Sequence, residues 1–219
     1  MKGSHLSPLA WAAALKREWM LYHLGDQRFR FMWDQPPHNE WVAIDCETTG
    51  LNVKTDAIIS IGAVRILGNR VMTSESLELL VRPEKRHFSA DSVRVHRLRE
   101  QDVAQGITAD EAVMKLMHFI GSRPLVGYYL EFDVAMINRV LFPILGMGLP
   151  QAKIEISGLY YDYKYQQLPS LVRDSGAIDL RFDSLIKDLG LPLWPAHDAL
   201  NDALMAALAF LKLKQLKPS

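Results

Sequence analysis

Residues 41–48 read Trp41-Val42-Ala43-Ile44-Asp45-Cys46-Glu47-Thr48, and Gly50 follows two positions on. The apolar, β-branched start of this stretch predicts a strand that the glycine ends. Asp45 and Glu47 interrupt it two residues apart, and a period of two places both carboxylates on one face. Two anions side by side on an apolar strand repel each other, and burial raises the cost. Either the strand ends at Asp45 and both acids meet solvent, or a divalent cation removes the repulsion.

Residues 57–67 (AIISIGAVRIL) are nearly continuous in apolar character, as a buried strand should be. Gly68-Asn69 predicts a turn, and 71–82 alternates well enough to pair back as a hairpin. Thr108 and Glu111 form a capping-box pattern that opens a helix over 108–121. A short strand, 124–128, and a helix, 131–142, follow, with further helices over 181–189 and 197–213. Strands first, then strands alternating with helices, predict an α/β fold with a mixed sheet flanked by helices. Upstream, 8–24 reads as a helix between Pro8 and Gly25, and 26–40 as a connector holding Pro36-Pro37. The division is an N-terminal helical extension, 1–40, and a main domain, 41–215.

The 219 residues suit one compact domain with an extension and support a core without metal or disulfide staples. Lys+Arg and Asp+Glu are both 25, so a general polyanion coat-binder is disfavoured, because non-specific nucleic-acid affinity rests on excess basic charge. A single cysteine, Cys46, excludes an intramolecular disulfide and favours a reducing, cytoplasmic setting. No segment approaches the roughly 20 apolar residues that span a bilayer, so no membrane association is expected. Leu9 to Leu15 resembles a short signal core, but Lys16-Arg17-Glu18 follows at once and favours a helix.

Two more acids occupy informative positions. Asp133 follows a predicted strand and lies in the first turn of a helix; Asp202 lies near the start of another, on a narrow polar strip with Asp198 and Asn201. Each alone is explained by the helix dipole. His197 precedes Asp202 by five residues, about 140° apart on a continuous helix, so it must lie at or before the helix start to share a site with it. Taken together, the acids lie at strand ends and helix starts, where ligand sites gather in α/β sheets.

Asp45-Cys46-Glu47-Thr48-Thr49-Gly50-Leu51, then Phe132-Asp133, then His197-Asp198-Ala199-Leu200-Asn201-Asp202-Ala203 resemble, in order and spacing, the three motifs of the DEDD exonucleases. The histidine five before the last aspartate resembles the histidine branch, which includes the proofreading epsilon subunit of bacterial DNA polymerase III and RNase T. The resemblance covers about Trp41 to Leu211. It implies a ribonuclease H-like, five-stranded mixed sheet and a 3′→5′ exonuclease that releases nucleoside 5′-monophosphates from single-stranded DNA or RNA. It also implies that Asp45, Glu47, Asp133 and Asp202 bind two Mg²⁺ or Mn²⁺ ions, Asp45 bridging them. His197 would take a proton from the attacking water, and Thr48, Thr49, Leu51 and Phe132 would meet the 3′-terminal nucleotide. Two alternatives stay open: an exoribonuclease restricted to RNA ends or short oligonucleotides, and a nuclease-like binding or regulatory module.

The chain departs from the family where Tyr128-Tyr129 replaces the usual His-Asn. The tyrosines are expected to pack under the sheet edge, the other reading being a stack on a base. Residues 160–165 (YYDYKY) are likewise expected to pack along a helix. Arg82, Lys85, Arg86, Arg94, Arg97 and Arg99 form a local basic excess, read either as a phosphate-backbone contact or as a solvated face. Little chain follows Asp202 to act as a polymerase-binding tail. The expectation is a stand-alone enzyme, or one that meets a protein partner or a second copy through its N-terminal extension. Trp11, Trp19 and Trp33 are expected to pack on the same chain.

Overall fold

The centre of the molecule is β1 (Glu40–Thr48), the middle strand of a five-stranded mixed sheet. The computed structural model describes residues 8–83, 103–169, 178–195 and 198–216. On one side of β1 lie β2 (Ile58–Leu67) and β3 (Arg70–Leu80), both antiparallel to their neighbours. On the other lie β4 (Leu125–Gly127) and β5 (Lys153–Glu155), both parallel. The order β3-β2-β1-β4-β5 is the expected mixed sheet, and Gly68, at φ 61°, makes the predicted hairpin turn.

Alternation along β1 sends its side chains into two cores. Val42, Ile44 and Cys46 face one layer with α2 (Ala109–Ile120) and α3 (Leu130–Leu145). Ala43 faces the other, with α4 (Ile156–Gln167), α5 (Phe182–Asp188) and α6 (Ala199–Leu216). The predicted capping box opens α2: the Glu111 N–H donates to Thr108 Oγ1 at 3.2 Å and the Thr108 N–H to Glu111 Oε2 at 3.0 Å. Reciprocal bonds of this kind satisfy two donors that a helix start otherwise leaves open.

The N-terminal helix α1 spans Pro8–Tyr22. The stretch read as a connector contains a short 3₁₀ helix, Gln27–Trp33, whose Phe29, Met32 and Trp33 are buried in the first core. Trp33 therefore packs as expected, but Trp11 and Trp19 do not: they are 61% and 64% exposed, on the outward face of α1. The inner side of that helix is held by Leu21, and the Gly25 N–H donates to the Leu145 carbonyl at 2.9 Å. Among the described residues no helix is long and apolar enough to cross a membrane.

Candidate active site

β4 ends at Gly127, level with the middle of β1, while β1 runs on through Asp45, Cys46 and Glu47. Past that point β1 loses its parallel neighbour, and the start of α3 takes its place. The Asp133 carboxylate, 4% exposed, accepts the backbone N–H of Cys46 there. A strand N–H with no ladder partner must find another acceptor, and the helix supplies one.

Asp45 and Glu47 share the Ala43 face, beneath α6. Asp45 pairs with Gly62 of β2, and a Cβ built on Gly62 would lie 2.2 Å from the Ala199 carbonyl and 2.3 Å from the Leu200 nitrogen. The glycine thus lets the first turn of α6 rest on the sheet backbone. Asp198 caps that turn, accepting the Asn201 N–H at 2.9 Å on its side chain and the Asp202 N–H at 2.9 Å on its carbonyl. The packing brings Asp202 to β1: one carboxylate oxygen from each of Asp45, Glu47 and Asp202 lies within 4.8 Å of the others. A register shift between Glu47 and Thr48 bends the strand end beside them.

Crowding and burial raise the carboxyls of Asp45, Glu47 and Asp133 above their ordinary range. Burial raises the Glu47 carboxyl to about 7, with Asp202 and Asp198 adding to the effect. Burial also pushes Asp45 well above the carboxylate range, reinforced by Asp133, Asp202 and Glu47. Asp133 moves the same way, through burial and then Glu47, against the pull of the Cys46 N–H. Three hard oxygen ligands at this spacing suit a divalent cation such as Mg²⁺ or Mn²⁺, which would remove the repulsion. Cys46 points to the opposite core and offers the site no sulfur.

The loop after β1 is tied into one unit. Thr49 Oγ1 accepts the Ala57 N–H at 2.9 Å and donates to Asp56 Oδ1 at 3.3 Å, and Asp56 Oδ2 accepts the Asn52 N–H at 2.8 Å. Arg139, from α3, donates to the carbonyls of Val53 and Asp56. Thr48 and Thr49 are buried, whereas Leu51 is 82% exposed at the loop tip and Phe132 is half-buried. His197 lies outside the described residues, as does the basic stretch beyond Arg82 and Pro83; α6 begins two positions after His197.

The two tyrosines that depart from the motif separate. Tyr128 packs as expected, its hydroxyl donating to the Leu180 carbonyl at 3.0 Å and its ring stacked on Phe182. Tyr129 is a correction: it is 70% exposed. In 160–165, Tyr160 is buried with its hydroxyl on Asp188, while Tyr161 is exposed and stacked on Tyr165. One acid escaped the sequence reading. Glu155, at the end of β5, accepts the N–H groups of Tyr129 (3.1 Å), Leu130 (2.9 Å) and Ser157 (3.1 Å) and the Ser157 hydroxyl (2.8 Å). It fixes the start of α3, and so Asp133. Its only trace in the sequence is the Glu155-Ile156-Ser157 helix-start pattern.

A ribonuclease H-like sheet with clustered carboxylates at its parallel-strand ends defines the class of the metal-dependent nucleases. The chain belongs to the exonuclease family RNase_T, whose pattern matches residues 42–210. It is 25% identical over 179 residues to the PolC-type DNA polymerase III of Thermotoga maritima, a match of 80% of this chain but 12% of that protein. It therefore spans about an eighth of the length of such relatives. With the DNA polymerase III subunit epsilon of Aquifex aeolicus it shares 24% over 174 residues, 79% of each chain. Its fold is similar to E. coli exonuclease I in complex with a dA16 oligonucleotide: TM-score 0.69, 16% identity, covering 83% of this chain and 42% of that one.

Proposed function

We propose that this protein is a 3′→5′ exonuclease that hydrolyses the terminal phosphodiester of single-stranded DNA or RNA and releases nucleoside 5′-monophosphates. The observation that carries the reading is the convergence of Asp45, Glu47 and Asp202 within 4.8 Å, with buried Asp133 alongside. These four residues would hold two Mg²⁺ or Mn²⁺ ions. When bound, such a pair makes a nucleophile available at neutral pH and offsets charge on the phosphoryl group and the leaving oxygen.

The chain's own groups do the rest. Asp45 and Glu47 present oxygens from a rigid strand, and Asp133 and Asp202 do so from helix first turns, so the ligand set is held before substrate arrives. His197 accepts the proton of the attacking water; an imidazole's ordinary pKa of about 6.5 suits that task. As the water oxygen bonds to phosphorus, the bond from phosphorus to the 3′ oxygen breaks, freeing the monophosphate and a new 3′-hydroxyl end. Thr48, Leu51 and Phe132 bear on the terminal nucleotide, and backbone N–H groups near Thr48 meet its 3′-hydroxyl. The likeness to DNA polymerase III proteins supports a protein partner; its docking through α1 and a cytoplasmic setting are part of this proposal.

The test is degradation of matched DNA and RNA oligomers of several lengths with Mn²⁺. Stepwise loss from the 3′ end is expected, abolished by EDTA and in Asp45→Ala. His197→Ala should slow it roughly 10²–10⁴-fold. Hydrolysis that persists in Asp45→Ala without metal would refute the mechanism, and binding without hydrolysis would identify a binding module.

A further inference from the structure

We propose that Tyr129 is a substrate-binding residue of this site, displaying its ring to stack on a base of the bound strand near the scissile phosphate. The proposal takes its substrate from the exonuclease reading above.

Tyr129 adopts φ 57° and ψ 30°, the left-handed region, at the N-cap of α3. A residue with a Cβ enters that region at a steric cost, and asparagine or glycine would sit there more easily. The conformation is imposed from outside: one Glu155 carboxylate holds the N–H groups of both Tyr129 and Leu130. Strain kept in place by its surroundings, at a residue that gives the core nothing, directs attention to what the side chain faces. Here the ring is 70% exposed. Its neighbour Tyr128 is anchored to Leu180 and Phe182, so of two adjacent tyrosines one packs and one is displayed.

The position gives the display its purpose. Tyr129, at the N-cap of α3, has Phe132 of the first turn as its ring neighbour, and Phe132 directly precedes Asp133. The Tyr129 and Phe132 rings are 6.5 Å apart and inclined by 30°, forming a stepped aromatic surface at the start of the helix that carries Asp133. A phosphodiester held at the carboxylates carries its bases within a nucleotide's reach of that surface. Nucleobases stack on aromatic rings with little regard to sequence, which suits an enzyme that consumes any 3′ end.

The experiment measures binding of fluorescein-labelled single-stranded dA16 by anisotropy, in Ca²⁺, for the wild type, Tyr129→Asn and Tyr129→Trp. Tyr129→Asn should weaken binding about ten-fold, and Tyr129→Trp should retain it. The melting temperature of Tyr129→Asn should be no lower than that of the wild type, because asparagine relieves the left-handed strain. An abasic residue scanned through the last few positions should weaken wild-type binding at one position and leave Tyr129→Asn indifferent there. Unchanged dA16 affinity in Tyr129→Asn, or undiminished sensitivity to every abasic position, would overturn the proposal. Wild-type hydrolysis of the same strand with Mn²⁺ is read in parallel. Hydrolysis with Tyr129-independent binding removes only the stacking role, and Tyr129-dependent binding without hydrolysis removes only the exonuclease reading.

Discussion

Asp45 lies opposite Gly62 in the β1–β2 ladder, and Gly62 is the point where the backbone of α6 rests on the sheet. A residue of the acidic cluster and the residue that seats the helix carrying Asp202 are thus cross-strand partners. The missing side chain at 62 sets how near Asp202 comes to β1.

Gly62→Ala should therefore do more than crowd a core. The added Cβ would meet backbone atoms of Ala199 and Leu200, which cannot swing aside as a side chain can. A loss of about 1–3 kcal/mol in stability is expected. Mn²⁺ affinity should fall with it, as α6 lifts. Gly158→Ala is the control: it lies inside α4 with nothing within 4 Å of its Cβ, and should add about 0.5–1 kcal/mol. Denaturant melts and metal titration of both variants check this, and Mn²⁺ binding unaffected by Gly62→Ala would contradict it.

The pH dependence has a definite sign. Glu47 is raised from 4.5 to about 7, so the folded chain holds that proton more tightly than the unfolded chain. Its contribution is fully present below the unfolded value and is lost as pH rises through about 7. Asp45 and Asp133 shift in the same direction. The metal-free protein should melt at a lower temperature at about pH 8 than at about pH 5. Mn²⁺ should restore more at the higher pH and release protons on binding. Asp202→Asn should raise the metal-free melting temperature by about 2–4 °C while abolishing hydrolysis. A melting temperature that does not change with pH would show that the acids do not repel.

Glu155→Gln leaves one acceptor oxygen where the carboxylate had two, so the Tyr129, Leu130 and Ser157 donors can no longer all be served. A cost of about 1–3 kcal/mol is expected, with faster proteolysis at the start of α3 and a lower kcat as Asp133 loosens. Wild-type kcat in a destabilised variant would limit Glu155 to a structural role.

Arg139→Ala frees the Val53 and Asp56 carbonyls and with them the loop that displays Leu51. KM for short oligonucleotides should rise several-fold with little change in kcat. An effect on kcat alone would place the arginine's influence on Asp133 instead.

Much of this was legible in the chain. The β1 alternation, the hairpin turn and the Thr108–Glu111 box depend on local chemistry and appear where expected. The placement of the four acids was legible as well: two share a strand face and two sit in helix first turns. β5 was not: three residues are too few for a periodicity, and its placement comes from pairing with β4. The helix 131–142 was expected to stop before Pro143 but continues to Leu145 and ends at Gly146 in the left-handed region. The 3₁₀ turn at 27–33 was hidden among polar residues, although Phe29 and Met32 are core. Tyr129 was misjudged because its direction is set by a carboxylate 26 residues away.

One helix, α6, serves two masters along its length. From Met205 to Leu213 it is bulk for the second core; at its first turn it is the carrier of Asp202 and its cap. Substitutions in the rear turns should therefore be filtered by how well the chain folds, and those in the front turn by what it can do. Drift in one half would leave the other untouched, so that a catalytically silent descendant could keep this architecture whole.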